Sequence, residues 1–139
     1  MKNRKIKRLV RLAYKQLGKP YKYGAKPYEA PKQFDCSSFV QYLYKRIGIE
    51  LPRTALKQAL IGRILKPVLR NLKPGDLIFI KGGWGHYNPE FPDGIGHVAL
   101  YVGNGKVVNA RGEAKKVVEE EAEEFLKRKD FRIVKRILV

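Results

Sequence analysis

The stretch His97-Val98-Ala99-Leu100-Tyr101-Val102-Gly103-Asn104-Gly105-Lys106-Val107-Val108-Asn109-Ala110-Arg111 decides the fold class. Two apolar, β-branched runs, about 96–102 and 106–111, flank a Gly-Asn-Gly segment whose residues accept the positive φ of a tight turn. The chain therefore doubles back as an antiparallel hairpin. A three-residue loop pairs Val102 with Lys106 and sets Asn109 opposite Ala99. Asn109 then shares a face with His97, one diagonal step away and within reach of a polar side chain. A histidine opening a strand of small apolar residues, with an amide beside it, asks for a chemical explanation.

Upstream of the hairpin the periodicity is helical. Ile6, Leu9, Val10, Ala13 and Leu17 recur at helical spacing over about 3–17, closed by Gly18 and Pro20. A Gly-, Pro- and Tyr-rich loop fills 18–34. A second helix runs from about Cys36 to Ile47 and stops at Gly48, and a short third one opens at Pro52-Arg53-Thr54 and reaches Leu60 or Ile61. Pro74-Gly75-Asp76 turns the chain into a strand over Leu77–Ile80, and Lys81–Gly94 reads as a loop. Downstream, residues 119–129 read as a helix, acidic first and basic last, in the order its dipole prefers, and Phe131–Val139 as a final strand. Helices first and an antiparallel sheet afterwards give an α+β fold.

The 139 residues suit one domain, 1–139, and a hydrophobic content of 44% is globular rather than disordered. One cysteine excludes an intrachain disulfide, and with two histidines it cannot complete a Cys/His zinc cage. No apolar run approaches the ~20 residues of a membrane span. Lys and Arg interrupt the segment from Ile6 to Leu17, so no signal-peptide core is expected, and the chain reads as cytoplasmic, phage-released or a trimmed secreted domain. The formal charge is +17 and uneven: residues 1–75 carry 19 basic and 3 acidic side chains, residues 76–139 carry 11 and 10. That bias suits an anionic polymer or surface, or else a lysine-rich solvated face of the heat-adapted type. No nucleic-acid motif accompanies it, so no specific nucleic acid is expected.

Cys36 falls where a helix begins, so its thiol meets unpaired N–H groups and the positive end of a dipole that favour a thiolate. Asp35 is the expected N-cap. Cys36 also lies on the stripe Phe39, Val40, Leu43, Tyr44 and Ile47, where a lone cysteine is commonly only a small buried hydrophobe. Packing this stripe on the face that holds His97 and small Ala99 brings thiol, imidazole and Asn109 together as nucleophile, base and orienter. His86 is a rival base without an orienter in view.

Several blocks, in order, resemble the NlpC/P60 cell-wall cysteine peptidases. They are Gly18-Lys19-Pro20-Tyr21-Lys22-Tyr23-Gly24, Phe34-Asp35-Cys36-Ser37-Ser38-Phe39-Val40, Leu51-Pro52-Arg53-Thr54, Leu72-Lys73-Pro74-Gly75-Asp76-Leu77 and the run from Gly96 to Gly105. The resemblance implies a papain-like fold, N-terminal helices on a central antiparallel sheet, and hydrolysis of peptidoglycan stem peptides at a D-γ-glutamyl–diamino acid bond. It also implies a Cys36-His97-Asn109 triad needing no metal or cofactor, with Tyr21 as oxyanion donor, Asp35 and Ser37 at the substrate's free amino end, and Arg53 as a substrate-binding residue in a motif near the cleft. Trp84, in the long 82–94 segment, is expected to line the substrate groove. The expected partner is a peptidoglycan or similar γ-glutamyl peptide, met by a monomer. This reading predicts a Cys36 that alkylates fast at neutral pH. Two alternatives keep the residues but change the function: a thiol hydrolase or acyltransferase of the same fold on a non-wall amide or ester, and a basic polyanion-binding module.

Overall fold

A computed structural model describes residues 2–83 and 85–138. Its centre is a six-stranded antiparallel sheet in the order β1-β8-β2-β5-β6-β7, formed by β1 (Arg63–Leu65), β2 (Leu77–Ile80), β5 (His97–Gly103), β6 (Lys106–Arg111), β7 (Lys116–Glu121) and β8 (Phe131–Arg136). The long helices α1 (Lys2–Lys15) and α2 (Cys36–Arg46) and the single turn α3 (Ala55–Gln58) pack on one face. A short α4 (Ala122–Leu126) covers the other. The fold is α+β, as the hairpin and the order of elements predict. Among the described residues no helix is long and apolar enough to cross a membrane.

The helix α2 forms because both its ends are closed and its stripe is apolar. Asp35 accepts from the Ser38 N–H at 2.8 Å while Ser38 Oγ accepts from the Asp35 N–H at 2.9 Å, a reciprocal cap. Beyond Ile47, Gly48 takes φ +88°, a conformation that costs a residue with a Cβ. Phe39, Val40, Leu43 and Tyr44 are fully buried, each contributing roughly 1.5–3 kcal/mol of apolar transfer. They meet Leu77, Phe79, Val98 and Leu100 of the sheet. The turn at Pro74-Gly75-Asp76 is fastened to the last strand by Arg136, whose Nε and Nη2 reach the buried Asp76 carboxylate at 2.8 Å each.

Several expectations are corrected. The hairpin turn has two residues, not three: Gly103 pairs with Lys106, Asn104 and Gly105 take φ 54° and 75°, and a bulge between Tyr101 and Gly103 absorbs the extra residue. Leu100 still pairs with Val108, so Asn109 keeps its place one step further along. The helices pack on the Val98–Leu100 face, not on the His97–Ala99 face. Ala99 instead belongs to the opposite cluster with Tyr101, Val107 and Phe125. The expected helix over 119–129 is a strand followed by one turn. β7 pairs along its whole length with β6, burying Val117 and setting Glu121 against Lys106, so sheet pairing overrides the helical preference of the glutamates. The 81–94 loop contains a hairpin of its own, β3 (His86–Asn88) and β4 (Phe91–Ile95). The third helix stops at Gln58, short of Leu60, and the first at Lys15, while the final strand ends at Arg136.

Candidate active site

Cys36 opens α2 and is buried, 6% exposed. Its Sγ lies against the start of β5, donating to Gly96 O at 3.7 Å. Burial pushes the thiol up to about 12, and the adjacent Asp35 carboxylate adds to the rise. The N–H groups of Val98 and Ser37, and the Arg53 charge, pull the other way without overcoming it. The expectation of a thiolate stabilised by the helix start and the basic half of the chain is therefore corrected. Desolvation outweighs both, and Cys36 is a neutral thiol at pH 7.

His97 follows Gly96 and is the first residue of β5. Its Nε2 is 2.6 Å from Asn109 Oδ1. The direction of that amide is fixed from behind: Asn109 Nδ2 donates to Glu120 Oε1 at 3.1 Å and to Val118 O at 3.4 Å. With the amide oxygen turned to the ring, Nε2 carries the hydrogen and Nδ1 is left with its lone pair. Glu120 is itself held by Arg111 at 2.7 Å, and Arg111 also reaches Glu113 at 3.2 Å. Phe125 of α4 stacks on the imidazole, centroids 6.1 Å apart and planes within 11°. Burial lowers the His97 pKa below its ordinary 6.5, opposed by the Asn109 hydrogen bond, so the ring is neutral at pH 7. Among the described residues the thiol's hydrogen-bond acceptor is Gly96 O, next to His97 in the chain, and not the imidazole.

Tyr21 reaches the same place by a different route. It bridges to Phe34 in parallel fashion, Lys22 N–H bonding Phe34 O at 2.9 Å and Phe34 N–H bonding Pro20 O at 3.1 Å, while its own N–H bonds Lys115 O at 3.0 Å. The segment between Tyr21 and Cys36 is thus pinned at both ends, and Tyr23, Gly24, Lys26 and Pro27 within it line the cleft. Burial, then the neighbouring Cys36 and Asp35, raise the Tyr21 hydroxyl well above 10, which keeps it a donor.

Two lobes of one cleft meet along Tyr21, Tyr23 and Gly96. The first, of about 440 Å³, is lined by Cys36, Asp35, Ser37, Arg53 and His86 among others. The second, of about 590 Å³, is lined by His97, Gly82, Arg111, Glu113 and Arg128. In the first lobe Arg53 Nη2 meets Asp35 Oδ2 at 2.7 Å and bonds the Ala25 carbonyl, and its Nη1 donates to Ser37 Oγ at 2.8 Å. Asp35 Oδ2 also accepts from the Gly24 N–H at 3.2 Å. Asp35, Ser37 and Arg53 thus form one charged network on the cleft wall. The structure brings Cys36, His97, Tyr21, Asp35, Ser37, Arg53 and His86 to the lining of this cleft, with Asn109 buried behind His97. Trp84 lies outside the described residues.

Glu120 and Phe125 were invisible to sequence reasoning because their segment reads as a helix. The signal for the strand is the β-branched pair Val117-Val118 after a turn at Gly112–Lys115, where Lys115 takes φ 62°.

Residues 18–136 match the NlpC/P60 family. A protein named probable endopeptidase p60 from Listeria welshimeri is 40% identical over 104 residues, covering 74% of this chain and 17% of that protein. A protein named gamma-DL-glutamyl hydrolase from Bacillus subtilis is 33% identical over 123 residues, covering 87% of this chain and 27% of that one. The solved structure of the peptidoglycan hydrolase RipB from Mycobacterium tuberculosis superimposes with a TM-score of 0.76 at 29% identity, over 99% of this chain and 67% of that one. This chain therefore spans less than a third of the length of either of the two relatives first named.

Proposed function

The chain belongs to the NlpC/P60 family, and from that membership we propose that residues 1–139 form a single cysteine-type peptidase or amidase domain. Its substrate is a peptidoglycan stem peptide, cleaved at the D-γ-glutamyl–diamino acid bond. One observation carries the reading: the Cys36 thiol and the His97 ring line adjoining lobes that share Tyr21, Tyr23 and Gly96, with the ring's Nε2 tied to Asn109 at 2.6 Å and its Nδ1 without a hydrogen-bond partner among the described residues. The names of the relatives, an endopeptidase, a gamma-DL-glutamyl hydrolase and a peptidoglycan hydrolase, support the substrate class.

With a thiol pushed up to about 12 and an imidazole that is neutral at pH 7, the pair starts uncharged. His97 Nδ1 takes the Sγ proton as sulfur attacks the carbonyl carbon, and the imidazolium shares its Nε2 proton with Asn109 Oδ1. Nucleophile–base contacts of this kind commonly tighten only with substrate in place. The oxyanion is met by the Cys36 N–H at the helix start and by the Tyr21 hydroxyl. His97 then returns the proton to the leaving amine, and water, activated by the same ring, hydrolyses the thioester. Asp35, Ser37 and Arg53 form the wall against the acyl part, with Asp35 opposite the substrate's free amino end. Glu120 is a positioning residue, acting on His97 through Asn109.

The test is mass spectrometry of products from defined muropeptides. The reading expects a γ-glutamyl fragment and a diamino-acid fragment from the wild type and intact substrate from Cys36→Ala. Release from simple γ-glutamyl amides with untouched muropeptides overturns the wall substrate in favour of a thiol hydrolase acting elsewhere.

A further inference from the structure

A second depression, of about 770 Å³, lies between α1 and α2 on the side of the molecule away from the sheet. Arg8, Lys45 and Arg46 line it, with Glu50 as the one carboxylate among its lining residues. A smaller cleft of about 390 Å³ shares Arg8 and Arg46 with it and adds Arg4 and Lys5, so the two make one cationic track. Arg4, Lys5, Lys7, Arg8, Arg11, Lys45 and Arg46 are all exposed, and none joins an ion pair found among the described residues.

These charges cost the helix that carries them. The first turn of α1 holds no acid, so Arg4 and Lys5 oppose the dipole. Arg4 and Arg8, Lys7 and Arg11, and Arg11 and Lys15 are like charges four residues apart, and each pair is unfavourable. A heat-adapted solvated face shows interleaved acids in ion-pair networks, whereas this face has a single lining carboxylate, Glu50, and no ion pair among the described residues. An anionic partner would relieve this like-charge repulsion, which solvent only screens.

We propose that this track binds a linear polyol-phosphate polymer of the cell wall alongside the cleft. The choice of a wall polymer rests on the function proposed above. Arginine forks match phosphate oxygens two at a time, and three of the five cations lining the track are arginines. A base-bearing strand gains nothing more here, because the aromatic residue lining the groove, Tyr42, is packed against the core rather than offered as a stacking platform. Pro27 lines both the groove and the catalytic cleft, and Ser38 of the groove follows Cys36 and Ser37 of the cleft along α2. A polymer held in the groove therefore keeps the cleft against the wall that carries the peptide.

The test uses the full chain and a fluorescein-labelled glycerol-phosphate oligomer in a salt titration. An oligothymidylate of equal charge serves as comparison. The triple variant Arg8→Glu, Lys45→Glu, Arg46→Glu is expected to weaken oligomer binding at least about tenfold and to flatten the salt slope by about two, at roughly 0.7 per lost phosphate contact. The triple variant Arg63→Glu, Lys66→Glu, Arg70→Glu, equal in charge change and outside the lining of both depressions, is expected to bind within about threefold of wild type, as exposed charges that do not touch the phosphates add little beyond the screened field. Hydrolysis of a soluble muropeptide is expected to be unchanged in both, which also reports that both are folded. Equal weakening by the two triples overturns the proposal, since net charge alone then explains binding. Tighter binding of oligothymidylate overturns it in favour of nucleic acid. Failure of the proposed peptidase reading is read separately, as no muropeptide cleavage by the wild type while oligomer binding persists.

Discussion

His97 is kept uncharged by its burial and by Phe125 across its face, while the Asn109 hydrogen bond partly restores its basicity. A histidine whose folded pKa lies below the ordinary 6.5 contributes stability that is present above pH 6.5 and is lost as the pH falls through the lower value. The acid limb of kcat/KM is accordingly expected below pH 6.5, read from a pH–rate profile. Cys36 has the opposite shift, so its alkylation is expected to rise about tenfold per pH unit from neutrality with no plateau before about pH 12. A plateau near neutrality, measured with iodoacetamide and mass spectrometry, means a preformed thiolate and contradicts the neutral pair. Glu120 supplies a second test. Its charge favours the imidazolium, so both Glu120→Gln and Glu120→Ala move the acid limb to lower pH. Glu120→Gln retains an acceptor for Asn109 Nδ2 and keeps most of kcat. Glu120→Ala frees the amide to turn and present its nitrogen to His97, and since a wrong tautomer costs ~10⁴ at full effect, a loss of about 10- to 10³-fold is expected. A merely structural role lowers both variants alike and leaves the limb in place.

At the scale of elements, what was legible in the sequence depends on how local the information is. The start of α2 and the turn of the β5–β6 hairpin are dictated by neighbours in the chain, the Asp35–Ser38 cap in one case and Asn104-Gly105 in the other. Cys36, His97 and Asn109 lie on those two elements: Cys36 and His97 line adjoining lobes of the cleft, and Asn109 is buried behind the imidazole. The remaining elements depend on partners far away. β1 exists because β8 lies beside it, Arg63 pairing with Arg136, and β7 because β6 offers it an edge. Parity along β5 gives two faces without saying which of them a helix covers. The connections place α1 and α2 over Val98 and Leu100 and leave α4 to cover His97 and Ala99. α4 is thus part of the site. Phe125→Ala is expected to cost ~3–5 kcal/mol in urea unfolding and, by letting water reach the imidazole, to move the acid limb up toward pH 6.5. A destabilised variant with an unmoved limb contradicts the shielding role.

Over the whole molecule the charge and the chemistry occupy different places. The basic half carries Cys36, and its densest run of cations stands on α1 and the end of α2, while Arg53 in the cleft is engaged by Asp35. The charge therefore does little for the thiol, whose state is set by burial. The cleft runs across the end of the sheet between the helical layer, which supplies Cys36, and the α4 side, which frames His97, so both layers must be in place for the pair to meet. The most direct measurement is acid-quenched peptide mapping during turnover of a γ-glutamyl stem peptide. The account predicts a thioester of the γ-glutamyl fragment on the peptide containing Cys36, absent in Cys36→Ala together with all cleavage. Cleavage that persists in Cys36→Ala, or turnover of the wild type with the acyl group on any other residue, contradicts it.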